Sequence, residues 1–351
     1  MSSMKLLSFP FLVFSKIVNS MELMEIFELS QVSRRILNRL HLSRIPVGTV
    51  SVVSGKSDEI VFYEKNNRTK RDFMILFLKK SQPIVSRMKV NNVCIDVWFV
   101  KTFIEQKLKL EKNVNRKIIR CNSNQFGYGL IHVLTHLDKI FSRIDFGLGI
   151  EINMVPVLKG ILSHQIFQKC IYVQFRGGKE ILSNEIFDYL LEKTQPTIGI
   201  TIFCSLNPDF DYKKILHFSR LRALNLGKMP LKDLKALDCE IAILGGHQFE
   251  ETDINEFLHH WIKGNNRKLR RLKLDGFQEV PDWDILLKDI VHTEWNPKER
   301  GRYYKSKYTN TMETIDCQNG RDFKNKEGQM ATVVHHWKFL DFLIWNDPLP
   351  E

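Results

Sequence analysis

Histidines occur as two adjacent pairs, His259-His260 and His335-His336, and such pairs invite a metal-ligand reading. Neighbouring side chains point apart on a helix and to opposite faces of a strand, so neither pair makes a ligand set by itself. The six cysteines, Cys94, Cys121, Cys170, Cys204, Cys239 and Cys317, lie far apart, and no two have the spacing of a zinc knuckle or a redox motif. The chain contains no HExxH, no phosphate-binding GxxxxGKS/T and no GxSxG nucleophile turn. Gly177-Gly178-Lys179 follows a strand and is too short for a phosphate loop, so it reads as a plain β-turn. Scattered Asp and Glu residues give no pair that the sequence places across a cleft. The expectation is a protein with no catalytic residues, no metal and no cofactor.

Charge is the next chemical signal. Over 351 residues, 52 Lys and Arg stand against 40 Asp and Glu, a formal net charge of +12. The cations spread along the chain, with clusters at Arg267, Lys268, Arg270, Arg271 and Lys273 and at Lys298, Arg300, Arg302, Lys305 and Lys307. Solvated faces account for such clusters. The alternative is a nucleic-acid-binding module, because Tyr303, Tyr304 and Tyr308 interleave with the second cluster and could join stacking to phosphate contact.

Apolar residues at 43% and charged residues at 26% are enough for a folded core. Unpaired, widely spaced cysteines fit a reducing compartment, cytoplasmic or nuclear. Residues 6–14, LLSFPFLVF, are interrupted by Pro10 and closely followed by Lys16, so they read as a folded helix rather than a secretory leader. No apolar run approaches the roughly 20 residues of a membrane span.

Three kinds of element position these residues. From Phe9 to Leu42 the spacing is helical, with Val13, Phe14, Ile17, Val18 and Met21 on one face, and a second stripe through Ile26, Phe27, Leu29, Val32, Ile36, Leu37 and Leu40. Pro10 suits a helix start, where its missing N–H costs nothing. After Gly48 the texture turns to β: TVSVVS, a GKSDE turn and IVFY read as a hairpin, a helix is predicted over Arg71 to Lys80, and VCIDVWF at 93–99 reads as a strand leading into a basic helical stretch. From residue 170, short strands recur at CIYVQF, GITIFC, LRALNL, CEIAIL and LRRLKL in steps of roughly 20 to 30 residues, the texture of a leucine-rich-repeat-like solenoid. Helical segments are predicted between them at Glu180 to Lys193, Pro230 to Leu237 and Asp253 to Lys263. In the last of these, Phe257, Leu258, Trp261 and Ile262 form an apolar side for the core, closed by Gly264-Asn265 as a left-handed cap. ETIDCQNGRDF, a KNKEGQ turn and MATVVHHWKFLDFLIW then alternate as closing antiparallel strands.

Residues 9–40, FPFLVFSKIVNSMELMEIFELSQVSRRILNRL, resemble the F-box. Phe9-Pro10 stands at its Leu-Pro position, Val13, Phe14, Ile17 and Met21 at the apolar positions of its first helix, and Ile26 with Val32-Ser33-Arg34-Arg35 on its later helices. The segment 254–274, INEFLHHWIKGNNRKLRRLKL, is similar to the centre of the F-box-associated type 2 domain of nematode F-box families. CQNGRDFKNKEGQMATVVHHWKFLDFLIW is similar to its closing hairpin, and Asp138 to Phe141 to its middle.

The resemblance implies an α+β chain: a small N-terminal three-helix F-box over 5–46, then an irregular leucine-rich-repeat-like α/β domain over 47–351 closed by a C-terminal β-hairpin. It further implies a non-catalytic adaptor of a Skp-cullin-F-box ubiquitin ligase, which binds a Skp-type subunit, and through it a cullin, while the second domain recruits a protein target. The residues it assigns to the Skp-type contact are Phe9, Pro10, Val13, Phe14, Ile17, Met21, Ile26 and Phe27. Besides the nucleic-acid module, the competing expectation is a non-ligase scaffold whose N-terminal helices are spent on its own core.

Overall fold

The computed structural model describes residues 6–47, 50–54, 58–63, 71–78, 83–84, 86–100, 117–122, 127–141, 144–277, 279–308 and 312–346. The chain divides into two compact units, the first Met1–Val173 with Leu190–Pro196 and the second Gln174–Tyr189 with Thr197–Glu351. The α+β class holds in both.

The first unit opens with three helices, α1 (Phe11–Ser20), α2 (Leu23–Ser30) and α3 (Arg34–Leu42), whose limits are set by local chemistry. Pro10 caps α1, and its carbonyl accepts from Phe14 N at 3.0 Å. Glu22 and Glu25 form a capping box at the start of α2, which satisfies amide donors that a helix start would leave unpaired. Ser33 caps α3 by accepting from Ile36 N at 3.2 Å.

Strands follow: β1 (Val50–Ser54), β2 (Asp58–Tyr63), β3 (Arg71–Leu78), β4 (Ser86–Val90), β5 (Val93–Val100), β6 (Lys117–Asn122), then α4 (Tyr128–Ile140), β7 (Phe146–Glu151), α5 (Val155–Leu162) and β8 (Cys170–Arg176), which runs across the division between units. Their order is β7-β1-β2-β3-β6-β5-β4. The β1–β2 hairpin is antiparallel as its alternation predicts, with Val50, Val52 and Ser54 buried. The helix predicted over Arg71 to Lys80 is corrected, because residues 71–78 form β3, antiparallel to β2 and parallel to β6. The basic stretch expected to be helical after residue 99 lies outside the described residues over 101–116. Asp58 joins hairpin to helix: it accepts from Ser54 Oγ at 2.6 Å and from Gly127 N at 3.0 Å, where Gly127, at φ 72°, caps α4.

In the second unit come β9 (Ile181–Leu182), α6 (Asn184–Thr194, which crosses the division), β10 (Gly199–Ile202), β11 (Ser205–Leu206), β12 (Arg220–Ala223), α7 (Leu231–Lys235), β13 (Ile241–Leu244), α8 (Glu251–Ile262), β14 (Arg271–Asp275), α9 (Trp283–Leu286), β15 (Thr293–Glu294), β16 (Tyr303–Lys307), β17 (Met312–Asp316), β18 (Arg321–Lys324), β19 (Met330–His336) and β20 (Phe339–Ile344). Strands β10, β12, β13 and β14 are parallel neighbours in chain order. The antiparallel strands β20, β19, β18 and β15 continue from β14, while β16 and β17 form a separate hairpin.

Register gives this sheet two unlike faces. Ile200, Leu221, Ala242, Leu272 and Phe342 share one row and Ile202, Ala223, Leu244, Leu274 and Leu340 another, a wholly apolar face. Helix α8 covers it, with Trp261 fully buried and 5.2 Å between its ring and that of Phe342. The other face carries Arg220, Ile241, Arg271 and Leu343 in one row and Thr201, Arg222, Ile243, Lys273 and Asp341 in the next.

Candidate functional site

At the N-terminal helices the structure divides the predicted contact set. Pro10 and Val13 are exposed, Phe9, Ile17 and Met21 are half-buried, and Phe14, Ile26 and Phe27 are buried. The stripe read as one face therefore splits, since Phe14 and Val18, four residues apart, turn inward together. The Arg39 guanidinium of α3 lies 5.3 Å from the Phe14 ring centroid, and its Nη1 donates to the carbonyls of Leu7 and Phe9, each at 3.1 Å. One side chain thus locks the entry of α1 against α3.

Phe27 is spent on the first unit's own core, with ring centroids 6.0 Å from both Phe73 of β3 and His136 of α4. Beside it Ser30 Oγ donates to the Phe27 carbonyl and meets His136 Nε2 at 2.8 Å, while His136 Nδ1 faces Asn91 N at 3.4 Å. An oxygen already donating can only accept from Nε2–H, so the histidine is the neutral Nε2 tautomer. Burial, aided by the charge of Lys139, pulls its pKa down to about 4.

The outward side of α1 is an apolar ridge. Leu12 is 75% and Val13 41% exposed, with Phe11 and Leu7 beside them also uncovered. Helical spacing alone does not single out Leu7, Phe11 and Leu12, because a helix start rich in apolar residues on all sides gives no periodic clue to its outer face.

In the second unit α8 begins with a capping box of Glu250 and Asp253 and buries Phe257, Leu258 and Trp261; Ile262, expected with them in the core, is half-buried. Gly264, at φ 88°, donates from its amide to the Trp261 carbonyl at 2.8 Å and ends the helix as predicted. Asn266 then donates to the carbonyls of Lys235 and Leu237 at 3.0 and 2.7 Å, fastening this turn to the end of α7. The Gly-Asn signature is therefore structural.

Chemistry-bearing residues elsewhere stay apart. His259 Nε2 meets the Lys288 carbonyl at 3.0 Å and His335 Nε2 the Phe277 carbonyl at 2.8 Å. Among the described residues no group of three or more His, Cys, Asp or Glu could hold a metal ion. Gly177 to Glu180 form the plain turn expected of them, closed by Glu180 N donating to Gly177 O at 2.8 Å. Of the cations at 298–307, Arg300 is buried against Asp322 at 2.8 Å and Arg302 pairs with Asp316 at 3.0 Å. The Tyr304 and Tyr308 hydroxyls donate to the carbonyls of Arg270 and Ile200 at 3.0 and 3.1 Å, so two of the three rings expected to stack on bases are engaged in the fold.

Residues 209–274, which run from just before β12 through β14, match the family described as F-box associated. Over these residues the chain is similar to F-box-associated domains. An uncharacterized protein of Caenorhabditis elegans is 23% identical over 99% of this chain and 80% of its own length. A second from the same nematode is 22% identical over 98% of this chain and 94% of its own, and a third is 19% identical over 62% and 51%. No solved structure matches the chain. The matched residues contain the sequence signature at 254–274, whereas the further likenesses at 138–141 and 317–345 lie outside them.

Proposed function

We propose that this chain is the non-catalytic, target-recruiting adaptor of a Skp-cullin-F-box ubiquitin ligase. Residues 5–46 act as the F-box and 47–351 as the recruiting domain, whose recurring strands are an irregular leucine-rich-repeat-like array. The F-box-associated match over 209–274 carries this reading, since it ties the chain to a family named for accompanying an F-box. The exposed ridge of α1 supports it: apolar side chains left in water gain free energy by entering a groove on a helical partner.

In this reading the outer residues Phe11, Leu12 and Val13, with half-buried Phe9, Ile17 and Met21 and the ring of Pro10, contact the Skp-type subunit. Phe14, Ile26 and Phe27 support the ridge from inside. Each apolar side chain fully buried contributes ~1.5–3 kcal/mol, so a few anchors are enough for a specific complex. The complex works in the cytoplasm or nucleus, and the cullin is reached through the Skp-type subunit.

The test is co-purification of a Skp-type protein with the full chain and with the Leu12→Asp, Val13→Asp double variant. Both side chains already face water, so the variant folds, while a carboxylate in the partner's groove would be buried unpaired. The adaptor should be lost; a folded variant that keeps it would overturn the assignment.

A further inference from the structure

The sheet face opposite α8 has no counterpart in the F-box reading. Four cations, Arg220, Arg222, Arg271 and Lys273, project from it; of its three carboxylates Asp275 pairs with Lys338 at 3.8 Å, and two lie at Arg271, Asp341 of β20 and Glu313 of the β16–β17 hairpin. Arg271 takes both: its Nε donates to Asp341 Oδ1 at 2.7 Å and its Nη1 to Glu313. Arg220 and Arg222 are half-buried, and the Nε of each is closed to water with no hydrogen-bond partner. The Arg222 guanidinium lies 5.8 Å from the Phe203 ring centroid, so it rests on an aromatic ring and its charge meets no carboxylate at salt-bridge distance among the described residues.

The face also has an apolar end. Lys273 Nζ sits 3.9 Å from the Phe339 ring centroid, and the Phe339 ring lies 6.2 Å from that of Trp337. Trp337 is 79% exposed and held at φ 56°, a conformation that side chains bearing a Cβ rarely adopt. Tryptophan presented to water beside cations is the composition of a binding hot spot.

We propose that this face of the second unit, lined by Arg220, Arg222 and Lys273 and ending at Trp337, binds an acidic peptide segment of the recruited target. The inference rests on the adaptor reading and names the chemistry of what is recruited. The fold itself contains a carboxylate in this place. Burial opposes ionisation of Glu313, but the hydrogen bond and charge of Arg271, with the charges of Lys273 and Arg222, hold its carboxyl below the usual carboxylate range. Side-chain carboxylates of a target would meet Arg220 and Arg222, with which Glu313 makes no ion pair. The same field would attract phosphate, yet of the exposed rings among the described residues, Phe11, Tyr128, Tyr303 and Trp337, it is Trp337 that stands at this end of the face, and nucleic acid stacks on a succession of rings.

The test uses the full chain, a fluorescein-labelled hexaglutamate peptide ending in phenylalanine, and a thymidine oligonucleotide of equal charge, with Skp-type co-purification followed in the same preparations. Arg222→Glu with Lys273→Glu should weaken peptide binding at least about tenfold. Lys228→Glu with Lys263→Glu, the same charge change at exposed positions elsewhere, should leave it near wild type. Glu313→Gln should strengthen it by removing the internal competitor. Equal losses in both double variants, or binding of the oligonucleotide in preference to the peptide, would overturn the proposal. If the adaptor co-purifies while the peptide ignores Arg222 and Lys273, the peptide site fails and the adaptor reading stands. If the peptide result holds and no adaptor appears, the reverse is true.

Discussion

Buried polar residues show how single side chains carry this fold. Arg300 is fully buried and donates to both oxygens of Asp322 at 2.8 Å, Thr332 Oγ1 donates to Asp322 at 2.6 Å, and Trp345 Nε1 donates to Thr332 at 2.9 Å. Removing one partner strands the other charge in a dry site. Asp322→Ala should therefore cost about 3–5 kcal/mol in urea-induced unfolding, more than the interaction is worth against an apolar substitute for both residues. His136 offers a pH prediction. Its folded pKa of about 4 lies below the ordinary 6.5, so between those values the unfolded chain binds the extra proton. Stability rises with pH across that window, and the contribution, about 3 kcal/mol when complete, is gone once pH falls below 4. Unfolding followed from pH 4 to 7 should show this slope, and His136→Gln should flatten it.

Helices and strands here are decided partly by their ends and partly by their neighbours. The start of α1 is legible in sequence through Pro10 because capping is local, whereas the capping box of Glu22 with Glu25 and the Ser33 cap are seen in the structure. Ser33→Ala should destabilise the first unit by ~1 kcal/mol, measured by thermal unfolding. Phe27→Ala, which empties a site between β3 and α4, should cost about 3–5 kcal/mol by the same measurement. Strand β3 misleads for the opposite reason. Within RDFMILFL the run FMILFL over 73–78 is apolar without a break, which fits a buried strand or a buried helix equally. What decides is that Phe73, Ile75 and Phe77 are buried by β2, α2 and α4, and the Phe62 ring stacks on Phe73 at 4.1 Å. Of those neighbours, α2 and α4 come from far along the chain.

At the scale of the whole molecule, the six cysteines read as widely spaced thiols are all free, and burial separates them. Cys121, Cys170, Cys239 and Cys317 are pushed up to about 12 and Cys204 to about 11 by burial, while Cys94 is exposed. Native alkylation with iodoacetamide, followed by peptide mass spectrometry, should modify Cys94 and spare the other five until denaturant is added. No helix among the described residues is long and apolar enough to cross a membrane.

Sequence alone determined the helical start, the β1–β2 hairpin, the succession of short strands from β10 to β14 and the inward face of α8. Each follows from periodicity or from a cap within a few residues. Only the tertiary structure decided which side of α1 is consumed: Phe14 lies under Arg39, 25 positions along, whereas Leu12 and Val13 stay exposed to water. Likewise Arg222, Lys273 and Glu313 share one surface because β12, β14 and β17 are brought together by pairing and packing between distant segments. Periodicity says that a side chain lies on a face, but the partner that covers or uncovers it is a non-local fact.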